Sequence, residues 1–333
     1  MKKIFFLIAC VITYSHTHAQ DSADVYNNAV AYMRQSDYNN AILILKSGLE
    51  KQPNNADFKK QLAICYYFQN DNEKAIQLIQ PLIDNNQADD QCFQIIGNIY
   101  KDQKKYTECE KMFTAAIKKF PENGALYNEM GNLMWQQKKN DAIQYWEKGI
   151  MTDPNYSKNY YNACRYYQIK NDFTWSIIYG EIFANLEPLN SKTAEIKDIL
   201  LEDYKQLMIE LKWDTLNKKY DNLFTQEFIN ALKGQSSIAG MGINTTSLIM
   251  IRTRFIIDWY NNSVTKFPFQ LFEYHRNLIQ DGLFEAYNQW LFGSSDNLVS
   301  FQNWTQNHSL EYYNFIKLLQ SNAFTLNKGE YYH

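Results

Sequence analysis

Beyond the first eighteen residues the chain has three histidines, His275, His308 and His333. They stand 33 and 25 residues apart, without the H-x-x-x-H or paired spacing that puts two imidazoles on one helical face around a metal. His275 is the candidate for acid–base chemistry. It sits in Phe272-Glu273-Tyr274-His275-Arg276, where a carboxylate from Glu273, Asp281 or Glu285 would have to meet it across a cleft. Glu273 is two residues away and points elsewhere on a helix. Gly240-Met241-Gly242 lacks the third glycine and preceding strand of a dinucleotide loop, and no G-x-S-x-G elbow or phosphate-binding loop occurs. The expectation is therefore a chain without catalytic residues, cofactor or metal, and with binding as its mode of action.

The elements that would position a binding site are helices. With 12 Gly and 6 Pro in 333 residues, turn material is too scarce for a many-stranded sheet. Met1 to Ala19 begins with two lysines, continues through the apolar run Ile4 to Tyr14 and reaches Thr17-His18-Ala19 before Gln20, the order of a secretory signal peptide. Export to the periplasm or cell envelope is expected. Leu7-Ile8-Ala9-Cys10 offers an alternative lipoprotein reading, at the cost of stranding Val11, Ile12 and Tyr14 outside the leader. No later run approaches the 18 to 20 apolar residues of an integral membrane span. Removing the leader leaves 31 basic against 36 acidic residues, a formal charge of −5, which disfavours nucleic acid. Cys65, Cys92, Cys109 and Cys164 lack the clustered pairs of a zinc site and are too few for a disulfide scaffold. They read as compact core fillers, with a Cys65 to Cys92 bridge as the alternative.

The strongest signal is periodic. Pro53, Pro121, Pro154 and Pro188 recur at 68, 33 and 34 residues, with Gln87 filling the gap. Small residues keep step at Ala29, Ala63, Gly97, Gly131 and Cys164, and again at Ala41, Ala75, Cys109, Ala142 and Ser176. Tyr32, Tyr66, Tyr100, Met134 and Tyr167 form a third column. A period near 34 specifies stacked helical hairpins: small residues let two helices approach, a bulky one fills the space between hairpins, and proline stops the second helix.

Aromatic or apolar at position 4, small at 8, aromatic at 11, small at 20, bulky at 24 and proline at 32, this pattern resembles the tetratricopeptide repeat. The copies run 22–55, 56–89, 90–123, 124–155 and 157–190, inside an array spanning 20–190. The third is carried by Gly97, Tyr100, Phe113, Ala116 and Pro121, and the fourth by Tyr127, Gly131, Ala142, Trp146 and Pro154. The fifth departs with Cys164, Ser176 and Gly180. Residues 191–213, with Ile196, Ile199, Leu200, Tyr204, Leu207 and Leu211 at helical spacing, read as a capping helix. Residues 214–333 read as a helical C-terminal domain, with helices at 225–232, 247–260, 269–280, 283–292 and 310–320 and a flexible linker at 235–244. Its aromatics, Phe267 to Phe292, read as core. The fold class expected is all-α: a solenoid of about five hairpins followed by that domain.

The resemblance implies ligands lying along the concave face of the first helices, at positions 2, 5, 9, 12 and 13. Those positions hold Tyr26, Met33 and Arg34; Lys60, Ile64, Tyr67 and Phe68; Gln94, Asn98 and Lys101; Asn128, Asn132, Trp135 and Gln136; and Tyr161 and Arg165. Asn98 and Asn132 would hydrogen-bond a peptide backbone, Lys60, Lys101 and Arg165 would attract a carboxylate, and Tyr67, Phe68 and Trp135 would anchor side chains. Lys60, Asn98 and Arg165 match only loosely the family's clamp for chaperone tails. The function expected is a non-enzymatic scaffold of the bacterial envelope binding a protein or peptide. The alternatives are an enzyme centred on His275 or a structural subunit of an envelope assembly.

Overall fold

The computed structural model describes residues 22–212, 222–240, 242–321 and 324–333. The expected signal peptide lies outside these residues. Among the described residues there is no strand, so the fold is all-α, a helical repeat array followed by further helices. It divides into two compact units, one running to Pro121 and the other starting at Glu122.

The first unit holds three hairpins: α1 (22–34) with α2 (Tyr38–Lys51), α3 (Ala56–Phe68) with α4 (Asn72–Asp84), and α5 (Asp90–Asp102) with α6 (Tyr106–Lys119). Each hairpin closes the same way. Ser36, Asn70 and Lys104 take positive φ of 58–61°, and the next residue's N–H returns to the last turn, as in Asp71 N to Tyr66 O at 2.8 Å. This left-handed closure satisfies carbonyls the helix end would orphan. Asp37 and Asp71 then cap the second helix through Asn40 N and Lys74 N. Gly97 shows why the small column exists: a Cβ there would lie 2.4 Å from the Phe113 ring, well inside contact distance.

The second unit continues the array with α7 (Gly124–Gln136) and α8 (Ala142–Thr152), then α9 (Ser157–Ile169) and α10 (Phe173–Leu186). Lys138 and Asn171 close these hairpins at φ 57° and 56°. Gly131 meets Trp146 as Gly97 meets Phe113, with a built Cβ 2.4 Å from the indole nitrogen. Helix α11 (Lys192–Lys212) covers α10 and buries all six residues of the expected apolar stripe. There follow α12 (Leu223–Lys233), α13 (Ser236–Ala239), α14 (Thr245–Asn262), α15 (Gln270–Gln280) and α16 (Phe284–Asn288). A π-helical turn, Gln289–Gly293, leads into α17 (Ser294–Asp296), α18 (Leu298–Asn307) and α19 (Ser309–Gln320). The stretch read as a linker thus contains α13, and α18 is a helix the sequence pattern did not announce.

The division at Pro121 falls inside the repeat array rather than after it. Copies four and five share a core with the C-terminal helices, because α10 is buried on nearly every face, including Trp175, Ile178, Glu181 and Phe183. Phe269, Phe272, Phe284, Tyr287, Trp290 and Phe292 are buried, so the C-terminal aromatics are core. All four described cysteines are free and buried. The Cys65 to Cys92 bridge does not form. Cys109 Sγ donates to Gly97 O at 3.1 Å, directly at a helix crossing.

Candidate functional site

Copies are stitched together along their first helices by polar contacts spanning about one repeat. In the first unit, Gln61 Nε2 donates to Tyr26 Oη (3.3 Å), Lys60 Nζ to Asp89 Oδ2 (2.5 Å) and Tyr67 Oη to Asp102 Oδ2 (3.0 Å). Lys60 is also 3.6 Å from Asp57, and only 13% of its side chain is exposed. Burial opposes its charge, but the Asp89 carboxylate outweighs burial and raises its pKa above the ordinary lysine value. Gln94 is held by Asp90 at 3.2 Å, and Arg34 is exposed.

Two features of this face are left open. Phe68 is 56% exposed while stacked on Tyr38 at 5.2 Å, which fixes the ring without covering it. Asn98 Oδ1 is buried yet accepts no hydrogen bond, an arrangement that leaves a desolvated acceptor uncompensated. The acids on this face escaped the sequence reading, although Asp57 and Asp102 fall at positions 2 and 13 of the scheme that selected Lys60 and Lys101.

The second unit repeats the logic with carboxamides. Asn162 Nδ2 donates to Asn128 Oδ1 (2.8 Å) and to Asn132 Oδ1 (2.9 Å), so the two asparagines read as ligand contacts serve as acceptors for the next copy. Asn162 lies outside the ligand positions and was missed for that reason. Tyr161 and Arg165 are both taken by Glu195 of α11, at 2.8 Å and 3.2 Å. The capping helix therefore occupies the fifth copy's ligand positions, and Tyr161 is only 6% exposed. Trp135 remains 42% exposed, its ring steadied by Tyr166 and Trp146 at 5.8 and 6.0 Å. Both cations of the loosely matched clamp, Lys60 and Arg165, are thus matched to acids of their own chain.

His275 belongs to a different cluster. Its Nε2 lies 2.9 Å from Glu181 Oε1, and Glu181 is also bound by Arg252 and by the hydroxyl of Tyr287 at 2.7 Å. Arg252 also donates to Asn288. Burial pushes the Glu181 carboxyl up, but Arg252 and His275 overcome it and hold the group at about 2. Burial lowers the pKa of His275, so its neutral form donates Nε2–H to the carboxylate. The cluster lines a cavity of about 10 Å³, room for roughly one water and none for a substrate. The partner is Glu181, not Glu273, Asp281 or Glu285. His308 is exposed and stacked on Trp304 at 4.5 Å. His333 packs against Trp175 and Tyr167.

Residues 32–99 match the model of the tetratricopeptide repeat. Among solved structures the chain is similar to pilF of Pseudomonas aeruginosa, at 19% identity over 64% of this chain and 98% of that one with a TM-score of 0.48. It is similar to MamA from Desulfovibrio magneticus RS-1, at 12% identity over 56% and 94% with a TM-score of 0.37. A third is YrrB, described as a TPR protein with an unusual peptide-binding site, at 12% identity over 56% and 96% with a TM-score of 0.37. No curated protein matches the chain.

Proposed function

We propose that this chain, whose residues 32–99 carry tetratricopeptide repeats, is a non-enzymatic scaffold of the bacterial cell envelope that holds an extended segment of a protein partner on its first helices. The observation that carries the reading is Asn98, whose buried Oδ1 has no donor. Rotation of the half-buried Asn98 carboxamide would bring this oxygen to an arriving peptide N–H. In the first unit, which also holds Asn98, the exposed ring of Phe68 supplies an anchor of the type that dominates binding energy. Lys60, Tyr161 and Arg165, engaged by Asp89 and Glu195, serve instead to join neighbouring helices. The order of residues in Met1 to Ala19 supports export.

The test is recovery of crosslinked partners from intact cells with the wild type and with a Phe68→Ala/Asn98→Ala variant. Loss of one or more partners is expected, and recovery of the same set in equal amounts overturns the assignment.

A second reading has its own observation. Leu298 and Val299 of α18 and Leu310 and Tyr313 of α19 are 55–72% exposed, and α18 contributes no buried residue. Exposed apolar side chains on two successive helices support the reading of a subunit in an envelope assembly.

A further inference from the structure

Residues 324–333 run across the second unit without helix, as two stretches, 324–327 and 330–333, joined by a turn at Lys328 and Gly329. Their mode of attachment is that of a peptide ligand. Asn155 grips the main chain at Leu326 in both directions, Nδ2 to Leu326 O at 3.0 Å and Leu326 N to Oδ1 at 2.9 Å. Asn222 donates to Tyr332 O. Phe324 and Leu326 are buried while Thr325 and Asn327 are exposed, the two-residue alternation of an extended strand. At the other end Tyr332 stacks on Phe224 at 4.7 Å, and His333 packs edge-on to Trp175 at 4.6 Å. Main-chain hydrogen bonds combined with pockets for alternate side chains are the grammar of peptide recognition.

The floor of the slot carries a buried acid. Glu147 is 9% exposed and accepts from Tyr167 Oη at 2.6 Å and Tyr179 Oη at 3.3 Å, while His333 Nδ1 lies 3.2 Å away. The slot is formed by α8, α10 and α12 with Asn155 of the α8–α9 loop, Tyr160 and Tyr167 of α9, and Phe269. None of these is one of the first-helix ligand positions, so the slot does not rest on the reading given above.

We propose that this slot is a binding site for a non-helical polypeptide segment of another protein, presenting apolar side chains two apart and, past a turn, a Tyr-Tyr-His-like stretch, and that residues 324–333 are its resident occupant in cis. An incoming segment replaces the Asn155 and Asn222 main-chain hydrogen bonds one for one and supplies its own aromatic and donor to the Phe224, Trp175 and Glu147 positions. No cation of the slot is needed for this exchange. Lys328 pairs with Glu122 at its exposed margin.

The probe is a fluorescein-labelled decapeptide of residues 324–333, titrated into the full chain, into a Tyr332→Ala/His333→Ala variant whose resident segment is weakened, and into that variant carrying Asn155→Ala as well. Apparent affinity is expected to rise at least about tenfold from wild type to the weakened-segment variant, because cis competition is relieved. It should fall about five- to tenfold again on Asn155→Ala, the effect of losing hydrogen bonds worth about 1 to 1.5 kcal/mol. A scrambled decapeptide should not bind. Hydrogen exchange of the wild type guards against misfolded variants: the Leu326 amide should exchange by local release, faster than the amides of α10. Failure of the decapeptide to bind the folded weakened-segment variant, or exchange of Leu326 only together with α10, overturns the proposal.

Discussion

Glu181 Oε1 and His275 Nε2 face each other at 2.9 Å across a contact that joins the fifth repeat to α15, with Glu181 2% and His275 3% exposed. The pair is part of an ion cluster completed by Arg252, which is also buried. A charge so deep is tolerable only while its partner is present.

Removing the carboxylate alone should therefore be costly. Glu181→Gln keeps the shape and leaves the Arg252 guanidinium uncompensated, an arrangement that costs about 3 to 5 kcal/mol. The double variant Glu181→Leu/Arg252→Met should recover most of that loss, since an apolar pair of similar volume does not need the compensation. Urea unfolding of the three proteins measures both steps. Equal midpoints for wild type and Glu181→Gln would show that the cluster contributes nothing.

A second acid sets a pH dependence. Asp203 of α11 is 1% exposed, and its Oδ2 accepts no hydrogen bond. Burial pushes its carboxyl from 3.8 up to about 7, with Glu202 adding to the rise and the Ser176 hydroxyl pulling against it. The folded chain thus keeps a proton that the unfolded chain has released between those values. The contribution of this group to stability is complete below about pH 4 and is lost as the pH climbs to about 7. Burial also raises the Glu147 pKa, with the same sign. Glu181, held at about 2, and His275, whose pKa burial lowers, act oppositely: the share of Glu181 disappears only as the pH falls below about 4.5, and that of His275 is complete above the ordinary imidazole value and is lost as the pH falls below it. Between pH 4.5 and 8 the denaturation midpoint of the wild type should fall relative to that of Asp203→Asn as the pH rises. Parallel profiles would refute the assignment.

The repeat was legible because each column answers to a single contact. Gly97 and Gly131 are small since Phe113 and Trp146 stand where a Cβ would be, so position and residue type are tied together in the third and fourth copies. The candidate face was legible only in part. The same periodicity that selects Lys60, Asn128 and Tyr161 says nothing about whether a neighbour already holds them, and Asp89, Asn162 and Glu195 do. Contacts without a period were not legible at all. Glu181 meets His275 from 94 residues away, and Asn155 meets Leu326 from 171. The hairpin closures, too, use Ser36, Asn70, Lys104, Lys138 and Asn171 in one conformation, with no common residue type to announce it.

The thiols give a direct test of the packing. Cys65, Cys92 and Cys164 are buried, and burial pushes their pKa up to about 11, 12 and 12. A thiol held protonated and out of reach is a poor nucleophile. Native protein should resist iodoacetamide at pH 8, whereas unreduced protein in guanidinium should take up label at all four of Cys65, Cys92, Cys109 and Cys164. Two labels in place of four, with the other pair recovered after reduction, would reveal a disulfide.

The missing proline of the second copy makes the sharpest prediction, because repeat consensus and local geometry disagree there. At 53, 121, 154 and 188 proline follows the second helix, but position 87 is glutamine. Asn86 closes α4 in the left-handed region, at φ 58°, and Gln87 N donates to Leu82 O at 2.8 Å. Proline at 87 would delete that donor and force Asn86 towards extended backbone. Gln87→Pro, which restores the repeat pattern, should therefore destabilise the chain by about 1 to 3 kcal/mol, while Gln87→Ala should stay within about 0.5 kcal/mol of wild type. Comparing urea midpoints of the two variants decides the matter: a proline variant as stable as the alanine one would mean that the left-handed closure at Asn86 is dispensable and that the consensus, not the turn, governs how α4 ends.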